Sequence, residues 1–322
     1  MSQIGITVHP LPVGAEVAGI PDAGELDPEL RGRLYAAWLE YGFLLFRGIG
    51  SVERQLAISR CFGELEIHPV PEVRCPDNPY LIELGGPRRS AAYVFDGADL
   101  RVNRIAWHRD TAYSPDICKG AMLRMVEVPV LDGETLLADT ARAYEDLEPA
   151  LKRRLEGLEY KATIRTDPLR TVGHAGVFWT TVRPATEDED PGSTARRART
   201  TGIDDRYPSV IHPAVLTHPE SGVKCLFLSP TYVDHFIGME RQESNELLLA
   251  LVEHMLRPRY VYKHKWRVND AIIWDNRRCM HAGMGNLPAE PRFGLRTTLA
   301  GPLRTGRYFD EAAHGPRTTL LD

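Results

Sequence analysis

Two histidines and one aspartate have the residue types and the spacing of a metal-binding set. His108 and Asp110 stand two positions apart in Trp107-His108-Arg109-Asp110, so on an extended chain their side chains face the same way. His281 follows the apolar run 271–274, and a histidine just past a core strand can return to a site opened by an earlier strand. Two histidines and one carboxylate form the facial set that non-haem iron(II) prefers, which leaves three metal positions open.

Two arginines near the end of the chain extend the candidate site. Arg292 and Arg296 are four positions apart, so on a strand both side chains point to the same face. Two guanidinium groups on the inner face of a core strand are costly unless anions pair with them. Since a guanidinium binds a carboxylate through two parallel hydrogen bonds, the pair predicts a site for an acidic ligand. The alternative is that Arg292 lies in the preceding loop and contacts solvent.

Three functions are compatible with these residues. An iron(II) enzyme would use the open metal positions for a keto-acid and dioxygen. A hydrolase with zinc or another divalent ion could use the same two histidines and carboxylate to activate water, with no need for the arginine pair. A non-catalytic β-barrel that binds a small acid would not need three converging metal ligands.

The composition argues against several other classes of protein. Of 322 residues, 43% are hydrophobic and 26% are charged, which is typical of a soluble globular protein. No apolar run reaches the about 18–20 residues of a membrane span, and the first eight residues show no signal-peptide pattern. The net charge of −5 predicts no general attraction to nucleic acid or membranes. Five scattered cysteines without a CxxC pair favour free thiols in a reducing, cytoplasmic compartment.

The pattern of apolar residues predicts many strands and a few helices that must position these side chains. Asp27-Pro28 has the features of a helix start, and Leu30, Leu34 and Trp38 follow at helical spacing. The other predicted helices cover residues 51–61, 141–158 and 242–256. Predicted strands are a pair within 4–20, then 43–46, 80–84, 120–128, 135–138, 211–217, 225–228, 260–265, 270–274 and 295–300.

Two polar, glycine-containing segments, 85–100 and 186–205, are expected to be flexible loops. Tyr93 and Phe95 in the first fit either a lid over a pocket or an ordinary surface loop. Arg196-Arg197-Ala198-Arg199 in the second is expected to be solvated. No repeat or clean linker divides the chain, so we expect one domain over 1–322, with helices outside a β-rich core and a tail from about 300.

Several short segments follow one another along the chain, and their combination in this order is specific. They are Val13-Gly14-Ala15-Glu16-Val17, Phe62-Gly63-Glu64-Leu65-Glu66-Ile67-His68-Pro69, Trp107-His108-Arg109-Asp110, Gly133-Glu134-Thr135, Thr217-His218-Pro219, Trp274-Asp275-Asn276-Arg277 and the stretch from His281 to Arg296. Through them the chain resembles the iron(II)/2-oxoglutarate dioxygenases of the taurine dioxygenase and 2,4-dichlorophenoxyacetate dioxygenase (TauD/TfdA) type. Together with the strand pattern, the resemblance implies a mixed α/β fold with a double-stranded β-helix, or jelly roll, and flanking helices.

The resemblance implies roles for the candidate residues. His108, Asp110 and His281 are similar to the catalytic iron ligands of the family. Thr135 and Arg292 match the residues that hold the distal carboxylate of 2-oxoglutarate. Dioxygen would be the other co-substrate.

The resemblance also implies residues that contact the primary substrate. Arg296 matches the second arginine, near the keto-acid head and the substrate's anion, and His68 matches a histidine that contacts the sulfonate in taurine dioxygenase. Pro71 replaces a substrate-contacting tyrosine, and Arg104 replaces an asparagine four positions before the first iron ligand. These differences weaken taurine as the substrate. Arg104, with Arg88 and Arg89, favours a larger or more acidic one.

The sequence therefore predicts an iron(II)- and 2-oxoglutarate-dependent dioxygenase. It would oxidise an unactivated C–H bond of a small carboxylate or sulfonate while 2-oxoglutarate is decarboxylated to succinate and carbon dioxide. The metal hydrolase and the small-acid-binding barrel stay as alternatives. A homo-oligomer is expected from the resemblance alone.

Overall fold

The computed structural model describes residues 5–68, 71–170, 179–202, 206–301 and 303–310. Its helices are α1 (Pro28–Tyr41), α2 (Val52–Ser59), α3 (Thr140–Glu145), α4 (Pro149–Leu155), α5 (Ser193–Thr200) and α6 (Arg241–Met255). Within the described ranges, none of the helices has the length and apolar character to cross a membrane.

Strands make up most of the regular structure. In chain order they are β1 (Thr7–Pro10), β2 (Ala15–Ala18), β3 (Phe43–Phe46), β4 (Leu65–Glu66), β5 (Arg74–Cys75), β6 (Asn78–Gly85), β7 (Tyr93–Phe95), β8 (Asp99–His108), β9 (Gly120–Glu127), β10 (Thr135–Asp139), β11 (Glu159–Ala162), β12 (Val182–Pro184), β13 (Val210–Pro213), β14 (Val215–Thr217), β15 (Lys224–Leu226), β16 (Val233–Phe236), β17 (Val261–His264), β18 (Ala271–Asp275), β19 (Cys279–Asn286), β20 (Phe293–Leu299) and β21 (Arg307–Tyr308). The expectation of a mixed α/β, β-rich fold is confirmed.

A nine-stranded sheet has the order β1-β2-β3-β18-β9-β20-β6-β5, with β4 beside β20. Its strand β3 is buried on both faces. Leu44 and Phe46 pack with apolar side chains of α1 and α2, whereas Phe43 and Leu45 pack in a second cluster with Leu137 of β10. Because successive side chains of a strand alternate between faces, a strand covered on both sides has an unbroken apolar sequence.

A six-stranded sheet has the order β12-β7-β8-β19-β10-β17. It contains three of the candidate site residues: His108 on β8, Thr135 on β10 and His281 on β19. β8, β19 and β10 lie side by side and run antiparallel. Leu137 and Cys279 of this sheet share an apolar cluster with Leu123 and Met125 of β9. The two large sheets are therefore joined by a common core.

Helix ends follow local signals that the sequence displays. Asp27 caps α1, since its Oδ1 accepts a hydrogen bond from the Leu30 N–H at 2.8 Å. Ser51 does the same for α2 through the Arg54 N–H at 3.1 Å. The predicted helices at these positions and at α6 are confirmed, as are the paired strands β1 and β2 near the start.

Three expectations of secondary structure are wrong. Residues 141–158 form two helices, because Pro149 begins α4 and cannot continue a helix from α3. Residues 85–100 contain β7 and the start of β8 rather than an irregular loop. Asp96 and Gly97 join these two strands with positive φ angles of 49° and 88°. An Asp-Gly pair is typical of the tight turn of a β-hairpin, because both of its residues must adopt positive φ.

The third correction concerns the arginine-rich stretch within 186–205. Residues 193–200 form α5, and the Glu187 carboxylate accepts hydrogen bonds from the N–H groups of Gly192 and Thr194 at its start. These bonds occupy donors that a helix start leaves without intrahelical partners. The expected flexibility of 203–205 and most of the expected tail beyond 300 lie outside the described residues.

Candidate active site

The structure brings His108, Asp110 and His281 to one point. His108 ends β8 and lies opposite His281 of β19 in the antiparallel register. The Nε2 atoms of both histidines lie 3.7 Å from Oδ1 of Asp110, and the three candidate ligand atoms are all within 4.8 Å of one another. Asp110 reaches this point from a turn beyond β8, not from the continuous extended strand that the sequence suggested.

Hydrogen bonding and burial keep these groups in the states that bind a metal. Nδ1 of His108 lies 2.8 Å from the Ala106 carbonyl oxygen, which can only accept, so Nδ1 is the donor and Nε2 is the ring nitrogen that the neutral tautomer offers to a metal. Burial lowers the pKa of His281 well below its usual value. Burial alone would raise the pKa of Asp110, but the Arg296 guanidinium and the two histidines hold that pKa below its usual range. Metal ligation needs neutral imidazoles and an ionised carboxylate.

The backbone of Asp110 is held by a side-chain amide. Asn276 accepts a hydrogen bond from the Asp110 N–H at 2.9 Å and donates to the Asp110 carbonyl at 2.8 Å. The same amide nitrogen also donates to the Cys118 carbonyl at 3.1 Å. The sequence marked the turn around Asn276 as polar but not this bidentate contact, which requires the fold.

Arg109, between two of the candidate ligands, points away from them into the core. It has no exposed surface, and burial lowers its pKa. Its guanidinium donates to the backbone carbonyls of Leu226, Leu228, Asn276 and Cys279 and to the Thr140 hydroxyl. These bonds join the segment 108–110 to β15, α3 and the β18–β19 turn, so Arg109 anchors the residues that follow β8 in the core.

The two arginines near β20 have different partners. Nη2 of Arg296 lies 2.8 Å from Oδ2 of Asp110. Arg292 is 7% exposed, and its Nε donates to the Gly133 carbonyl at 3.3 Å. Among the described residues no carboxylate forms an ion pair with Arg292, and burial lowers its pKa to about 10. Arg292 is therefore a buried cation that still lacks an anion.

Thr135 lies beside the strand that carries His281. It begins β10, pairs with Gly283 of β19, and is 5% exposed. Its Oγ1 accepts a hydrogen bond from the Trp266 indole N–H at 3.0 Å.

One cavity of about 600 Å³ unites these groups. His108, His281, Thr135, Arg292 and Arg296 all line it. Tyr93 and Phe95 also line it, which supports the pocket-lining alternative for this segment. The Trp179 ring packs on Phe95 with centroids 4.7 Å apart.

Two expected substrate contacts lie in different surroundings. Arg104 lines the cavity, forms an ion pair with Asp99, and lies over the Phe95 ring at 4.6 Å. His68 is half-buried, and its backbone carbonyl accepts a hydrogen bond from Nε of Arg74 at 2.6 Å. His68 does not line the cavity formed by the described residues, and its contact with substrate stays a prediction.

Arg101, Arg196 and Arg199 also line the cavity, beyond the site residues expected from the sequence. The arginine tract on α5 was the available signal. Such a tract alone is typical of a solvated loop, and only the tertiary structure brings the start of α5 next to β7, where the Ser193 hydroxyl accepts a hydrogen bond from the Ala92 N–H.

Comparison with known proteins gives a consistent answer. The family described as "Taurine catabolism dioxygenase TauD, TfdA family" matches residues 7–298. The (S)-phenoxypropionate/alpha-ketoglutarate-dioxygenase of Sphingobium herbicidovorans is 31% identical, over 94% of this chain and 94% of that protein. An alpha-ketoglutarate-dependent sulfate ester dioxygenase of Pseudomonas putida is 28% identical, over 94% and 91%. A taurine dioxygenase structure from Burkholderia xenovorans matches the fold with a TM-score of 0.71 at 24% identity, over 95% of each chain.

Proposed function

This chain belongs to the taurine catabolism dioxygenase TauD, TfdA family, and from that premise we propose which residues carry its chemistry and what class of substrate it takes. It is an oxidoreductase, a 2-oxoglutarate-dependent dioxygenase that uses iron(II) and dioxygen. The comparisons do not support the hydrolase or the non-catalytic barrel.

One observation carries the assignment of residues. Two histidines and one carboxylate converge on one point, and the two histidines line a cavity that also contains a buried arginine without an acidic partner in the described chain. The donor set of two imidazoles and one carboxylate, with no thiolate, fits iron(II) better than a structural zinc site. We assign His108, Asp110 and His281 as the iron ligands.

Arg292 and Thr135 would hold the distal carboxylate of 2-oxoglutarate. A buried guanidinium and a buried hydroxyl in the same cavity offer one charge-assisted and one neutral donor to that group. With both co-substrates bound, the iron centre supplies the oxidation of a C–H bond, coupled to formation of succinate and carbon dioxide. The protein supplies the position of each reactant and the exclusion of water.

The charge of the cavity supports an anionic primary substrate. Arginines outnumber acidic partners there: eight line the cavity, and six of them form ion pairs with five carboxylates among the described residues. Arg292 and Arg199 have no such carboxylate partner in that part of the chain. If Arg292 binds 2-oxoglutarate, Arg199 is the cavity arginine of the described ranges that is left for the substrate's anion, and Tyr93 and Phe95 provide an apolar wall.

We also propose a jelly roll for the arrangement of the two large sheets, and their largely antiparallel pairing around a common core supports it. A single domain over 1–322 and a homo-oligomer stay predictions. A cytoplasmic location is supported by cysteines that are all free thiols.

Anaerobic titration of the metal-free protein with iron(II) and then 2-oxoglutarate tests the assignment. We expect a visible metal-to-ligand charge-transfer band that is lost in His281→Ala and weakened in Arg292→Ala. Arg154→Ala, at an exposed helix position, is the control and should keep the band. No band in the wild type, together with tight zinc binding, would overturn the proposal.

A further inference from the structure

The hydroxyl of Thr135, a residue that lines the cavity, has a hydrogen-bond partner that is not part of the cavity lining formed by the described residues. The Trp266 indole nitrogen lies 3.0 Å from Thr135 Oγ1, and both residues are buried. An indole N–H can only donate, so the hydroxyl oxygen must accept. The single hydroxyl proton of Thr135 therefore stays available for another acceptor.

We infer that Trp266 is a positioning residue that makes Thr135 a hydrogen-bond donor toward a carboxylate in the cavity. The inference rests on the proposed role of Thr135 with 2-oxoglutarate. A hydroxyl that donated to a protein carbonyl would present only lone pairs to an anion, which repel it. With Trp266 as donor, the hydroxyl proton is free to turn to a carboxylate in the cavity, and a donor–acceptor chain polarises the hydroxyl further.

The position of Trp266 is itself fixed by neighbouring groups. The His264 ring meets the indole edge to face, with centroids 4.5 Å apart and planes at 88°. His264 lies opposite Thr135 in the β10–β17 pairing, and its Nε2 lies 3.2 Å from Oδ2 of Asp270. The same Asp270 oxygen accepts hydrogen bonds from the Arg267 N–H at 3.0 Å and from Arg47 at 2.6 Å. His264, which precedes Trp266 in the chain, and Arg267, which follows it, are thus both tied to Asp270, which fixes the backbone that carries the indole.

A purely structural role for Trp266 makes a different prediction. The side chain belongs to the apolar cluster between the two sheets, so any substitution loses some packing. A packing loss would lower stability and affect all ligands of the site alike. A hydrogen-bond role affects only a ligand with a distal carboxylate, and only when the Thr135 hydroxyl is present.

Four proteins and two ligands separate these roles: wild type, Trp266→Phe, Thr135→Val and the double variant, each with iron(II) without oxygen. Dissociation constants are measured from the charge-transfer band for 2-oxoglutarate and for 2-oxopentanoate, which lacks the distal carboxylate. We expect Thr135→Val to weaken 2-oxoglutarate binding about tenfold or more, since bonds to charged groups are strong. Trp266→Phe should weaken it about three- to tenfold, with less than about a twofold effect on 2-oxopentanoate. In the Thr135→Val background, Trp266→Phe should add less than about twofold.

Each other outcome overturns the inference in a recognisable way. Equal losses for both ligands, or additive losses in the double variant, would show that Trp266 acts through packing alone. An unchanged 2-oxoglutarate constant in Thr135→Val would remove the proposed role of Thr135 as well. Trp266→Met, which fills the space without a donor, replaces Trp266→Phe if that variant does not fold, and Thr135→Ser should restore wild-type binding.

Discussion

Asn276 and Asp110 are joined by two hydrogen bonds between one side-chain amide and one residue's backbone. The amide accepts from the Asp110 N–H at 2.9 Å and donates to its carbonyl at 2.8 Å. All four atoms belong to buried residues. The carboxylate of Asp110 therefore holds its position next to His108 and His281 because a residue 166 positions away fixes its backbone.

Asn276→Ala should weaken metal binding by about 10–100-fold, the usual cost of losing a group that orients a metal ligand. It should also lower the free energy of unfolding by about 2–3 kcal/mol or more, because three buried backbone groups, the N–H and carbonyl of Asp110 and the carbonyl of Cys118, lose this partner. Calorimetric titration with Mn(II) and urea unfolding measure both. Gln242→Ala, which removes an exposed amide on α6, is the matched control. A folded Asn276→Ala protein with wild-type metal affinity would contradict this role.

Gly133 should not tolerate a side chain. Its φ is 76°, and a Cβ there would lie 2.5 Å from Cγ of Pro129 and 3.6 Å from Cδ of Arg292. Gly157 has a similar φ of 70° with nothing within 4 Å of the Cβ position. Gly157→Ala should thus cost about 1–2 kcal/mol from backbone strain, and Gly133→Ala about 1–3 kcal/mol more from the overlap.

The same pair of variants probes the neighbouring Arg292. Gly133→Ala should weaken 2-oxoglutarate binding, because it moves the carbonyl that accepts from Arg292. Gly157→Ala should bind 2-oxoglutarate as the wild type does. Urea unfolding and anaerobic charge-transfer titration give the two quantities. Equal stability of the two variants would refute the overlap.

His212 should make the metal-free protein less stable in mild acid. It has no exposed surface, and burial lowers its pKa from 6.5 to about 4. Between about pH 6.5 and pH 4 the unfolded chain binds a proton at His212 that the folded protein does not. The stabilisation that neutral His212 contributes is therefore fully present above about pH 6.5 and is lost as the pH falls towards about 4. From pH 7 to pH 5 the His212 contribution amounts to about 1–2 kcal/mol.

Urea unfolding of the wild type and of His212→Gln at pH 7 and pH 5 measures this contribution. The variant is expected to be less stable at both values but to lose less on acidification. An identical loss in both proteins would mean that other groups carry the pH dependence.

Arg199→Glu should reduce the affinity for anionic substrates. Arg199 is exposed and lines the cavity. Reversing its charge should raise the KM of a carboxylate or sulfonate substrate about three- to tenfold at low ionic strength, and less in high salt. Succinate release with a panel of small acids provides the measurement. Arg153→Glu changes the charge of the protein equally at an exposed position on α4, and its KM should match the wild type. The same rise in both variants would show a general charge effect only.

Local features of the sequence were sufficient for much of the fold. Asp27 and Ser51 cap helices through their own side chains, and the apolar run of β3 is buried on both faces, as short continuous runs indicate. Two local features override the simple apolar pattern. Pro149 divides one expected helix, and Asp96-Gly97 makes a hairpin in an expected loop.

The amino-acid sequence is enough to identify the types and the order of the groups that do chemistry: two histidines, one aspartate and two arginines, in an order that resembles an iron and keto-acid site. How these groups meet depends on the fold, since the β8–β19 register sets His108 opposite His281 across 173 positions. The fold also places Arg296 on Asp110, Trp266 behind Thr135 and Arg199 at the cavity. Residue spacing encodes local geometry, whereas contacts between distant segments depend on which strands pair and in which register.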